Sequence, residues 1–86
     1  MNSALLGDVE VGTEPVDLLF NPSNNNMYVA NIVSNSVFIL DSGNNTVVST
    51  VNVNSLPLAL EVDPFKNRVY VTGTLTGAED LVSVIG

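Results

Sequence analysis

Val11-Gly12-Thr13-Glu14-Pro15-Val16-Asp17-Leu18 superposes on Val53-Asn54-Ser55-Leu56-Pro57-Leu58-Ala59-Leu60 at an offset of 42 residues, counted from Pro15 to Pro57. The same offset carries Pro22 to Pro64, Asn25 to Asn67, Tyr28 to Tyr70 and Val29 to Val71. A period of this length constrains a chain more than any local propensity does, because each copy is one supersecondary unit that must stack on its neighbours to bury its apolar faces. Further along, Val37-Phe38-Ile39-Leu40 pairs best with Val82-Ser83-Val84-Ile85 at an offset of 45. The second copy therefore holds about three extra residues, which fall in the Gly- and Thr-rich stretch Gly73 to Asp80, expected to be a loop. Repeat 1 runs over about residues 11–52 and repeat 2 over about 53–86.

Within each copy the pattern is that of strands. Pro15 to Phe20 and Pro57 to Val62 are short apolar segments stopped by proline-containing turns, Asn21-Pro22-Ser23-Asn24-Asn25-Asn26 and Asp63-Pro64-Phe65-Lys66-Asn67. Met27 to Ala30 and Arg68 to Thr72 return as second strands, Val37 to Leu40 is apolar throughout, and Thr46 to Val53 is a longer, more polar edge strand. No stretch has apolar residues at helical spacing, and the many β-branched and Asn residues disfavour a helix. Four short strands per unit predict an all-β β-propeller built from two four-stranded antiparallel blades. A β-sandwich is the competing architecture, but it has no need of two units in one register. Leu5 to Val11 aligns with the fourth strand, Val47 to Val53, so residues 1–10 are expected to be an outer strand that completes a neighbouring blade. Labelling the strands of a blade A to D, the phase is D-ABCD-ABC.

Tyr28-Val29-Ala30-Asn31 and Tyr70-Val71-Thr72-Gly73, with Pro15 and Pro57 opening the first strands, resemble the signature of the YVTN-repeat β-propeller family. Asp41 at the end of a third strand and Thr46-Val47-Val48 in a fourth extend the likeness over nearly the whole chain. Gly73, Gly86 and Asn54 depart from the first copy, so the second is the looser match. The resemblance implies an archaeal or bacterial surface-layer or secreted protein, with a seven-bladed propeller serving as an adhesion or interaction platform. Similar propellers also occur in lyases and in quinoprotein or haem-associated oxidoreductases, whose chemistry uses His, Cys or Trp. This chain contains none of the three.

Composition narrows the functions further. Nine Asp and Glu stand against Lys66 and Arg68, a net charge of −7, which opposes binding to nucleic acid or to an anionic membrane surface. No catalytic residue and no cofactor are expected. Sparse charge with abundant Asn, Ser, Thr and Val suits an extracellular or cell-surface protein, although the first seven residues have neither the basic residue nor the apolar run of a signal peptide. The expected function is a non-catalytic structural or protein- or glycan-binding module. A piece of a larger propeller enzyme, with its catalytic groups in other blades, is the alternative.

Two blades cannot close a ring, because propellers hold about four to eight. Head-to-tail association of copies, as a trimer with six blades or a tetramer with eight, would close one; further blades of a longer chain would do so equally. Three carboxylates, Asp17, Glu61 and Asp63, fall on or just after the first strands, where a ring would gather them into an acidic channel able to hold Ca²⁺. Solvated charges at a channel mouth are the simpler expectation, since the sequence has no calcium-loop spacing. Asn44-Asn45-Thr46 is the only glycosylation sequon without a proline, which makes Asn44 a candidate glycan site. Tyr28, Val29, Asn31, Tyr70 and Val71 are expected to be structural, packing blade on blade.

Overall fold

The computed structural model describes residues 3–53, 56–74 and 80–86. Two antiparallel meanders account for the fold. Sheet I holds β1 (Pro15–Asn21), β2 (Asn26–Asn31), β3 (Ser36–Asp41) and β4 (Thr46–Asn52) in sequence order, and sheet II holds β5 (Leu56–Asp63), β6 (Arg68–Thr74) and β7 (Asp80–Ile85). The described residues contain no helix. Each strand lies where the apolar segments predicted it, lengthened by one or two residues at its ends except for β4, which stops at Asn52, one residue before the expected Val53. Gly73, Thr74 and Asp80 are strand residues rather than loop, and the rest of the expected loop, 75–79, lies outside the described residues. Residues 3–10 belong to neither sheet, so the outer strand expected there has no ladder within the chain.

The hairpins share one construction. Each four-residue loop follows an Asn or Asp and ends on an Asn in the left-handed region: Asn25 (φ 63°), Asn35 (φ 49°), Asn45 (φ 58°) and Asn67 (φ 52°). Asn is the side-chain-bearing residue that best tolerates this conformation, and in three of the four hairpins, Asn31 being the exception, the leading Asx makes it cheaper still by bonding the backbone two residues on. The Ser23 N–H donates to Asn21 Oδ1 at 3.0 Å, Gly43 N–H to Asp41 Oδ1 at 2.7 Å and Phe65 N–H to Asp63 Oδ1 at 3.1 Å. Backbone bonds from Asn25 N to Asn21 O (2.9 Å) and from Asn45 N to Asp41 O (2.8 Å) close the loops. In sheet I these positions recur every ten residues: Asn21, Asn31, Asp41 and Asn25, Asn35, Asn45.

The two sheets repeat one another down to their irregularities. β1 carries a bulge between Pro15 and Asp17, and β5 carries one between Pro57 and Ala59, so Val16 and Leu58, which are equivalent in the repeat, are both left out of the pairing. A proline in an edge strand beside a bulge removes no ladder bond that a neighbour needs.

The core lies between the sheets. Tyr28, Ala30, Val37 and Ile39 of sheet I pack with Leu60, Val69, Val71 and Ile85 of sheet II, supported by half-buried Leu19, Val51, Val53 and Val62. The register puts the sheet I set on one face, because Tyr28 pairs with Ile39 and with Leu19, and Ala30 with Val37. In sheet II, Leu60 pairs with Val71, and Val69 with both Val62 and Ile85. These residues are not the repeat equivalents of their partners. Leu60, Val69, Val71 and Ile85 correspond to Leu18, Met27, Val29 and Leu40, which form the opposite face of sheet I. Conversely, Tyr28, Ala30, Val37 and Ile39 correspond to Tyr70, Thr72, Val82 and Val84 on the far face of sheet II. The repeats therefore meet by unlike faces, as successive members of a stack, and not by like faces as in a pseudo-twofold sandwich. The backbones of the two sheets come closest where β5 meets β1 and β2, whereas β4 is solvent-exposed along almost its whole length.

Candidate assembly and binding surfaces

Three turns cluster at one end of the stack. The β1–β2 turn is tied to the β3–β4 turn through Asn25 O, which accepts from Ser42 Oγ at 2.7 Å and from Ser42 N at 3.3 Å. It is tied to the β5–β6 turn by the Asn21 Nδ2 donation to Asn67 Oδ1 at 2.9 Å and by a Ser23 Oγ bond to Pro64 O. Asn21 is fully buried and divides its carboxamide between capping its own turn and crossing to the other sheet, which satisfies the donor and the acceptor together. Around this fixed frame the turn tips are exposed: Pro22, Ser23 and Asn24, then Gly43, Asn44 and Asn45, and Phe65 with Lys66. Phe65 is 98% exposed, the most solvent-facing aromatic position of the described chain. A polar, Asn- and Ser-rich rim around an accessible ring offers hydrogen bonding and stacking to a ligand.

The second pair of surfaces is the two open sheet faces. On sheet I, Val16, Leu18, Phe20 and Val47 are exposed, and Leu18 and Val16 border a shallow hollow of about 430 Å³ with Pro15, Asp17 and Val29. Val29 is nonetheless buried, since Leu18 and Phe38 flank it on the neighbouring strands. On sheet II, Val82 and Val84 are 61% and 56% exposed beside half-buried Tyr70. Both faces are apolar enough to be docking surfaces and unlike enough to have different partners.

The three candidate carboxylates are not brought together. Asp17 lies between the sheets: its Oδ1 accepts from its neighbour Leu18 N at 2.9 Å and its Oδ2 from Leu60 N at 2.8 Å, 43 residues away. Glu61 is exposed on the far face of sheet II, and Asp63 caps the β5–β6 turn through the Phe65 N–H and, at 3.4 Å, that of Lys66. Among the described residues no three His, Cys, Asp or Glu side chains are grouped to hold a metal ion. Asp17 is better described as an inter-sheet clamp, since a carboxylate accepting from two backbone donors contributes stability wherever water is partly excluded.

Asn44 is exposed at a turn tip, its Oδ1 accepting from Thr46 Oγ1 at 2.6 Å, so the sequon side chain is accessible. Tyr28 is 4% exposed in the core, and its hydroxyl accepts from Asn24 Nδ2 at 2.9 Å. Asn31 is buried where Val11 to Glu14 crosses the β2–β3 turn. There Ile32 N donates to Glu14 O (3.0 Å) and Val33 N to Thr13 O (3.2 Å). A side chain at Gly12 would press into Ser34 Oγ and come within 2.8 Å of the Asn31 carboxamide, so one there would have to displace both side chains. The Asn31 Nδ2 reaches Val29 O at 3.5 Å, while Oδ1 has no partner.

Sequence reasoning found the prolines, tyrosines and Asp41 turn but not the Asp17 clamp, the Asn21 bridge or the ten-residue Asx spacing. Only the last was visible in the sequence, once turns within one copy are aligned with each other. The chain matches no known family model, and no curated protein is significantly similar to it.

Proposed function

We propose that this chain is a non-catalytic structural and binding module of β-propeller type, a pair of YVTN-like blades in a secreted or cell-surface protein. The observation that carries the proposal is the packing of equivalent sheets by unlike faces. Such a stack leaves one face of each kind open, and only further units, from additional copies or from further repeats of a longer chain, cover them. The close approach of β5 to β1 and β2, with β4 exposed, supports a fan whose inner strands converge on an axis. Residues 1–10 fit as the outer strand of a neighbouring unit, since sheet II has no counterpart of β4 among its described strands.

Recognition is assigned to the turn cluster around Phe65, where rigid loops present exposed polar groups and one ring. Its chemistry suits peptides or saccharides and, with a net charge of −7, not polyanions. Arrays of immobilised glycans and peptides test this. Binding to a defined subset, lost in Phe65→Ser, is the expected result; silence of the folded protein across both arrays would overturn the binding role.

A further inference from the structure

We propose that a second copy of this chain docks on the open face of sheet I through the far face of sheet II, repeating between molecules the interface seen within one. The inference rests on the stacked-repeat reading above and names its partner and contacts.

The internal interface supplies the template. Moving it along by one repeat places Tyr70, Thr72, Val82 and Val84 of one copy against Leu18, Met27, Val29 and Leu40 of the next, as Tyr28, Ala30, Val37 and Ile39 now pack against Leu60, Val69, Val71 and Ile85. The hollow bordered by Leu18 and Val29 lies on the receiving face. The polar points transfer as well. Asn21 donates to Asn67 inside the molecule; the equivalent pair between copies is Asp63 and Asn25, in which the carboxylate accepts from the carboxamide. Asp63 uses Oδ1 for its own turn, as Asn21 does, which assigns Oδ2 to the bridging role that Nδ2 has in Asn21. Ser23 and Pro64 become Phe65 and Pro22, a polar contact replaced by an apolar one. Asp17 becomes Ala59, so the carboxylate for the Leu18 N–H is missing from the incoming copy. It is not needed, because Leu18 N already donates to Asp17 of its own chain at 2.9 Å.

One position opposes the docking. Glu61 stands where Leu19 packs in the internal interface, so association places a carboxylate against an apolar surface. Together with the −7 charge on each copy, it makes the junction weaker than its internal template and strengthened by salt.

The junction is heterologous, which gives it a test that a like-to-like dimer fails. Leu18→Asp damages only the receiving face and Val84→Asp only the incoming one; both residues are more than half exposed, at 60% and 56%, so the fold survives, as circular dichroism will verify. Sedimentation velocity at about 100 µM should show the wild type self-associating and each variant monomeric, while an equimolar mixture of the two forms a 1:1 dimer through the one intact pair of faces. Glu61→Leu should tighten wild-type association by about tenfold or more. A monomeric wild type overturns the proposal and leaves the binding role to the arrays. So does a wild-type oligomer that persists in either variant, or a mixture that stays monomeric. A ring seen together with unaltered association in both variants would keep the propeller reading and remove this interface.

Discussion

Tyr28 and Tyr70 hold the same place in the repeat and meet opposite environments. The first is 4% exposed between the sheets with its hydroxyl bonded to Asn24, and the second is half-buried on a face that no other described strand covers. The contrast extends to their neighbours: Ala30, Val37 and Ile39 are in the core, while Thr72, Val82 and Val84 face solvent. What separates them is not local sequence but position in the stack. An apolar strand residue is a core residue only when another unit lies over it, so two similar sequences have different energetic roles in one molecule.

Paired substitutions at equivalent positions can break or sharpen this comparison, measured by urea unfolding at concentrations where the chain is monomeric. The largest contrast is expected from Val37→Asp against Val82→Asp. A lone carboxylate at fully buried Val37 should prevent folding, costing more than about 4 kcal/mol, whereas at exposed Val82 it should cost under about 1 kcal/mol. Equal losses would mean that the sheets do not stack as described. Tyr28→Ala should cost about 3 kcal/mol, and Tyr70→Ala about 1 kcal/mol, the difference reporting the cavity that only the first leaves.

Asp17→Ala should cost about 2 kcal/mol, because it leaves the Leu60 N–H without its acceptor in a partly buried place, and Ala59→Asp should be within about 0.5 kcal/mol of neutral. The smallest effect comes from the left-handed turn ends. Asn45→Ala should cost about 1 kcal/mol and Asn45→Gly little, since only the torsion is at stake there. Asn67→Ala and Asn67→Gly should each cost about 1 kcal/mol more than their Asn45 counterparts, because they also take the acceptor from buried Asn21 Nδ2. Equal costs at the two sites would show that the Asn21–Asn67 bridge contributes nothing.

Strand positions were legible from the repeat because prolines, Asx turns and apolar runs mark the same places twice. Which way each strand faces was not. Leu18-Leu19-Phe20 and Val37-Phe38-Ile39-Leu40 are apolar on both sides, so the alternation that normally identifies a core face is absent. With both sides apolar, only the packing of the two sheets decides which side is covered. The clamp from Asp17 was illegible for a different reason: its acceptor role depends on the Leu60 N–H, brought near only when the sheets pack. The sequence places Asp17, Glu61 and Asp63 on or just after the first strands, but which face each occupies follows only from the register and the packing of the sheets. Asn44, by contrast, could be placed at an accessible turn from its neighbours alone.

The turns carry a consequence for how such a protein changes over generations. In the β3–β4 hairpin the first and last positions, Asp41 and Asn45, hold the backbone shape through a side-chain acceptor and a left-handed torsion, while Ser42-Gly43-Asn44 between them form the tip. Asp63 and Asn67 do the same around Pro64-Phe65-Lys66. Shape is thus set mainly at the ends of each loop, with Ser42 and the Pro64 carbonyl tying one turn to the next, and exposed tip positions such as Asn44, Phe65 and Lys66 can be rewritten at small thermodynamic cost. Lineages built on this plan are free to vary those positions, one at a time, without renegotiating how they fold.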